Sequence, residues 1–276
     1  MNTQSFLKKI FIAVVLITTM VACSKVPLTN RKQMNLIPES ELVAMSLTSY
    51  KDFLKDNPPV NSTDADAQMV KRVGERVKNA IVKYMQQNKL YSRIKDYKWE
   101  FNLVNDKQVN AWCMPGGKVV VYSGLLQVTK DEPSLALVMG HEIAHAIARH
   151  GIERMSQGLL AQAGGVAVDF ATLNKNPQTR ALFMTAYGVG ANVGVLLPYS
   201  RLQESEADKL GLIFMAMAGF DPRVGPDFWK RMSAASGGQK VPEILSTHPS
   251  DQTRISNLNK FMPQALKYYK PSSAGS

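Results

Sequence analysis

Histidine and cysteine are scarce in this chain, with four of the first and two of the second among 276 residues. That is too few exposed donors for a metal-storage or metal-transport protein. Two cysteines, Cys23 and Cys113, do not make a disulfide framework either. The chain also lacks an RNP, zinc-knuckle or helix-turn-helix pattern, so its formal charge of +11 does not by itself indicate nucleic acid. The basic residues are spread over Lys71 to Lys98 and Lys260 to Lys270, as on solvated helix faces. No apolar run reaches the ~20 residues of a membrane-spanning helix. Ile10 to Met20 is too short, and the uncharged residues 181–197 carry Gly188, Gly190, Asn192 and Gly194 and are closed by Pro198. The latter stretch reads as a buried or groove-covering helix, with Gly190 and Gly194 permitting close helix contact. There is no internal repeat. What remains, 45% hydrophobic and 20% charged residues, suits one globular domain with a sizeable core.

The amino terminus reads as an address. Lys8 and Lys9 precede the apolar stretch, and Met20-Val21-Ala22 place small or aliphatic residues before Cys23. This ending resembles the lipobox of bacterial lipoprotein signal peptides, which implies lipidation of Cys23 and removal of residues 1–22. On that reading residues 23–37, with Pro27 and then Pro38, are a lipidated tether; residues 38–270 are one catalytic domain, and residues 271–276 a flexible tail. Ser24 in place of an acidic residue points to the periplasmic face of the outer membrane. The mature charge becomes about +9, because Lys8 and Lys9 leave with the signal. Cys113 is then either a buried thiol or a link within an oligomer.

Helical periodicity is expected over Glu39 to Leu54 and over Asp64 to Gln87, where Val70, Val73, Val77, Ile81 and Tyr84 recur on one face. Trp99 to Val104 and Lys118 to Tyr122 read as strands, with Pro115-Gly116-Gly117 turning between them. From Asp131, a plausible N-cap, the pattern is helical to about Gly151, apolar on most of its circumference and hence buried. Another helix is expected from Ser200 to Ala218, and at least one more after Pro222. The class is mainly α, with a small sheet (α+β).

His141 and His145 in HEIAH lie one turn and about 40° apart on that buried helix, so both imidazoles face one point and can share a tetrahedral cation. Glu142 beside them can hold a water molecule and take its proton. Polar groups on so apolar a helix need partners, and a metal ion supplies them. His150 lies nine residues from His141, on the opposite face of a continuous helix, and is not expected to ligate. A hydrolytic zinc site takes three protein ligands and keeps one position open. Glu204, in ESEAD, supplies the third, and Asp208 one turn further on can fix a histidine tautomer. Glu206, about 200° round from Glu204, is expected to be solvated or paired with Arg201 or Lys209.

HEIAH, ESEAD, NAWCMPGG at Asn110 to Gly117 and THPS at Thr247 to Ser250, in this order, resemble the zinc metallopeptidase family of HtpX and the CAAX prenyl endopeptidases. The likeness runs from about Asp64 to Phe261 and is closest to soluble or lipid-anchored bacterial members and the mitochondrial inner-membrane peptidase of the family. It implies a gluzincin (zincin) fold, with two helices crossing at zinc beside a small sheet. It implies that Val119, Val120 and Val121 belong to an edge strand that pairs with an extended substrate, that Asn110 and Ala111 help to hold substrate, and that His248 stabilises the oxyanion.

The expected protein is a metalloendopeptidase with one zinc ion per chain. Its partners are unfolded or misfolded envelope proteins and, through the lipid, a membrane; nucleic acid is not among them. The alternative is a chaperone or binding module that uses the same groove without turnover.

Overall fold

The computed structural model describes residues 23–162, 177, 197–235 and 252–271. The signal segment, residues 181–196, His248 and all but the first residue of the expected tail lie outside them. In chain order the described elements are β1 (Cys23–Lys25), β2 (Lys32–Met34), α1 (Glu39–Asp56), α2 (Ala65–Gln87), β3 (Glu100–Val104), β4 (Ala111–Met114) and β5 (Lys118–Tyr122). They continue with α3 (Ser123–Thr129), α4 (Glu132–Ile147), α5 (His150–Gln162), α6 (Leu197–Met217), α7 (Gly225–Ala235) and α8 (Gln252–Leu266). A helical protein with one small sheet is what the periodicities imply. No helix among the described residues is long and apolar enough to cross a membrane.

The sheet sorts its residues by the two-residue period of a strand. Phe101, Leu103, Ala111, Cys113, Val119 and Val121 join the main core with α2, α4 and α6. Val104, Trp112, Met114, Val120 and Tyr122 face the other way, onto Leu42, Met45 and Tyr50 of α1 and Ile152 and Met155 of α5. Both faces of the sheet are thus covered, as an unbroken run such as Val119-Val120-Val121 requires.

The strand order corrects one expectation. β5 lies in the centre, parallel to β3 on one side and antiparallel to β4 on the other. Its backbone is committed on both sides, so Val119, Val120 and Val121 cannot form an edge that takes up substrate. β4, which the residue pattern does not announce as a strand, is an edge among the described residues and packs against α4. The other edge, β3, is partly closed by Pro59 and Val60, whose N–H donates to the Leu103 carbonyl at 2.8 Å.

A second correction concerns residues 23–37. They are not a loose tether: β1 and β2 pair as an antiparallel hairpin, Val26 and Ile37 are buried, and the turn between the strands takes Leu28 and Asn30 through positive φ.

α4 starts as its sequence dictates. Asp131 caps it, accepting from the Ser134 N–H at 2.7 Å, and Pro133 occupies the first turn. Every residue from Ser134 to Ile147 is buried. The helix then stops earlier than periodicity suggests, because Arg149 adopts a left-handed φ of 58° and α5 starts afresh at His150. That conformation costs an arginine about 1–2 kcal/mol, and the guanidinium is held by Glu39 of α1.

Candidate active site

α4 and α6 cross backbone to backbone. A Cβ built on Gly211 would lie 2.7 Å from the His141 nitrogen and 2.9 Å from its Cα, and one on Gly140 would lie 2.9 Å from the Gly211 carbonyl oxygen. These two glycines, which sequence reasoning passed over, set the spacing that lets a carboxylate on α6 meet two imidazoles on α4. Small residues at a crossing are a readable signal only once the two helices are known to touch.

At the crossing three donors converge. Nε2 of His141 and Nε2 of His145 are 3.1 Å apart, and the Glu204 carboxylate oxygens lie 3.3 Å from each. All three residues are buried, and one donor atom from each lies within 4.8 Å of the others. Zinc held tetrahedrally at its usual ~2.0–2.1 Å separates its ligand atoms by ~3.3 Å, so the spacing fits such an ion. The electrostatics agree. Burial alone would push the His141 imidazole down, but the Asp208 and Glu204 carboxylates outweigh it and hold it up at about 9. Burial pushes His145 well below the ordinary histidine range. Burial keeps His145 neutral, with a lone pair to give, while the Glu204 and Asp208 carboxylates at the crossing supply negative charge for a cation to meet.

Each imidazole is also gripped from behind. Asp208 Oδ1 lies 2.9 Å from Nδ1 of His141 and 2.5 Å from Nη2 of Arg254, on α8. Arg254, whose guanidinium lies 3.4 Å from the centroid of the Trp229 ring, was not anticipated. Its partners are brought together by the fold, and nothing in the sequence around it marks it. Glu142 is buried close to Cys113 of β4; burial first, and the Glu142 charge second, push that thiol well up. Cys113 is therefore a buried, inert thiol rather than a link between chains. Asn110 stands at the head of β4, its side-chain oxygen accepting from the Ala111 N–H at 2.9 Å.

Two expectations, one about the helix after His141 and one about α6, fail. His150 is not turned away from the site: because the helix breaks at Arg149, its Nδ1 comes within 2.9 Å of Nδ1 of His145. Glu206 is neither solvated nor paired with Arg201 or Lys209. It is buried, 3.0 Å from Nε2 of His150, and bonded to Thr29 and Arg31 of the amino-terminal hairpin. Arg201 is exposed, and Lys209 lies over the Phe261 ring. Burial opposes the charge on Glu206, but His150, Thr29 and Arg31 hold the carboxylate down at about 2.

The profile of Peptidase family M48 matches residues 71–262 of the chain. The mitochondrial metalloendopeptidase OMA1 of Schizosaccharomyces pombe is 33% identical over 243 residues, 87% of this chain and 66% of that protein. The human mitochondrial metalloendopeptidase OMA1 is 30% identical over 87% of this chain and 46% of its own length. The beta-barrel assembly-enhancing protease of Yersinia pestis is 35% identical over 58% of this chain and 33% of its own length. The chain thus spans between a third and two thirds of these relatives, which do not single out the HtpX or CAAX branches. With HEIAH and ESEAD inside the matched region and their side chains converging at one point, the chain belongs to Peptidase family M48.

Proposed function

We propose that this protein is a zinc-dependent metalloendopeptidase, in which His141, His145 and Glu204 hold one zinc ion and Glu142 is the catalytic base. The convergence of the three donors within 4.8 Å carries the reading. Bound by these three residues, zinc would supply Lewis acidity toward the scissile carbonyl and a bound water molecule. Glu142 takes a proton from the attacking water and returns one to the leaving amine. Asp208 keeps the His141 ring oriented throughout. An extended substrate runs along β4, which has a side unpaired by any strand among the described residues, with Asn110 and Ala111 at its head. His248 is assigned the oxyanion on family resemblance alone.

Misfolded envelope proteins are the proposed substrates, supported by the signal-like amino terminus and by the name of the Yersinia relative. Lipidation of Cys23 would anchor the protein at the outer membrane. Since β1 begins at that residue, the lipid would hold the domain at the membrane surface with almost no spacer.

Zinc content and cleavage of an unfolded protein, measured on the wild type and on Glu142→Gln, test the assignment. One zinc per chain in both, with proteolysis only in the wild type, is expected. Undiminished cleavage by Glu142→Gln would remove Glu142 from its role, and equimolar zinc without cleavage by the wild type would favour a non-catalytic binding module.

A further inference from the structure

His145 and His150 face each other through their Nδ1 atoms, and a neutral imidazole has only one N–H to offer. The direction of that bond follows from its far end. Nε2 of His150 lies 3.0 Å from Oε2 of Glu206, a carboxylate that only accepts. His150 therefore carries its proton on Nε2, and its Nδ1 is an acceptor. His145 must then donate from Nδ1, which leaves the lone pair of its Nε2 directed at His141 and Glu204. The opposite tautomer would turn an N–H into the place where the donors converge and abolish ligation.

Glu206 is aimed by the hairpin. Arg31 Nε donates to the same Oε2 at 2.8 Å, and the Thr29 hydroxyl takes the other oxygen. The two terminal nitrogens of Arg31 each donate to one oxygen of Glu153 at 2.8 Å, and Gln203 donates to Glu153 at 2.8 Å. His150, Glu206, Glu153 and Gln203 are all buried, and the Arg31 side chain is 20% exposed. The hairpin lies outside the residues matched by the family profile.

We infer that the hairpin β1–β2 is a positioning element of the metal centre: through Thr29, Arg31 and Glu206 it fixes the His150 ring, which in turn fixes the tautomer that His145 presents to zinc. The inference rests on the zinc reading above. His150 and Arg31 are positioning residues and touch neither substrate nor metal.

The test uses the full chain and two readouts other than proteolysis: zinc affinity, by competition with a chromogenic chelator, and the visible absorption of the cobalt(II)-substituted protein. His150→Ala should weaken zinc binding ~10–100-fold, the usual effect of removing such a partner, and should alter the cobalt bands. Arg31→Ala should act in the same direction by ~10-fold. His150→Gln, whose amide oxygen can accept from Nδ1 of His145, should restore part of the loss. Lys32→Ala, on the exposed side of the same hairpin, should change nothing. Circular dichroism confirms folding, and if His150→Ala does not fold, the milder Thr29→Val and Arg31→Lys decide. Wild-type affinity and an unaltered cobalt spectrum in the folded variants overturn the inference. A wild type that binds no zinc overturns instead the reading on which it rests, so the two failures are told apart.

Discussion

Behind His141 stands a carboxylate, Asp208, one helical turn from Glu204; behind His145 stands another imidazole, and the carboxylate comes only after it. The first support comes from the helix that also supplies the third candidate ligand, so forming one brings the other into place. The second is assembled from β1–β2, α5 and α6, and exists only when the amino-terminal hairpin has docked. One half of the site is a property of two crossing helices, the other of the closed fold.

Glu142 belongs to neither support, so its removal gives the largest effect and the baseline for both. Glu142→Gln should lower proteolysis ~10²–10⁴-fold while zinc content and melting temperature stay at wild-type values. Loss of zinc in that variant would show that Glu142 helps to assemble the site. Arg31→Ala comes next. It strips Glu206 and Glu153 of their shared guanidinium, and urea unfolding should register a loss of about 3 kcal/mol; a change under about 0.5 kcal/mol would make the hairpin an ornament. Gly211→Ala tests what the two halves share. Its Cβ meets main chain at His141, so a shift of α6 is unavoidable, costing about 2 kcal/mol, and zinc affinity should fall with stability. The smallest effect is the most discriminating. In a cycle of Asp208→Asn and Thr29→Val read by zinc affinity, the two losses should add to within ~0.5 kcal/mol. Stronger coupling would merge the two supports into one network.

The same division explains what could be read from the residues. His141, His145, Glu204 and Asp208 are related by single helical turns, and a helix converts such spacing into a common face whatever surrounds it. The start of α4 was legible through Asp131, which caps it. Strand order is a different matter: Val119-Val120-Val121 looks alike at the centre or the edge of a sheet, and only pairing decides. Glu206 was misplaced because its cation, Arg31, lies 175 residues away. His150 was misplaced because a rotation of 100° per residue holds only while the helix does, and one left-handed residue, Arg149, ends it.

The separations in the hairpin network also set an order of events. Arg31 meets Glu153 and Glu206 across 122 and 175 positions, and Thr29 meets Glu206 across 177, so the hairpin contacts close the largest loops in the centre and are expected late, after the local helices have met. Arg31→Ala should accordingly speed unfolding while leaving the refolding rate nearly unchanged, as stopped-flow fluorescence can determine. Equal effects on both rates would place the hairpin in the folding nucleus. On the proposed reading, late closure implies that a chain still being made would hold zinc loosely, so that the metal centre would be complete only with the fold.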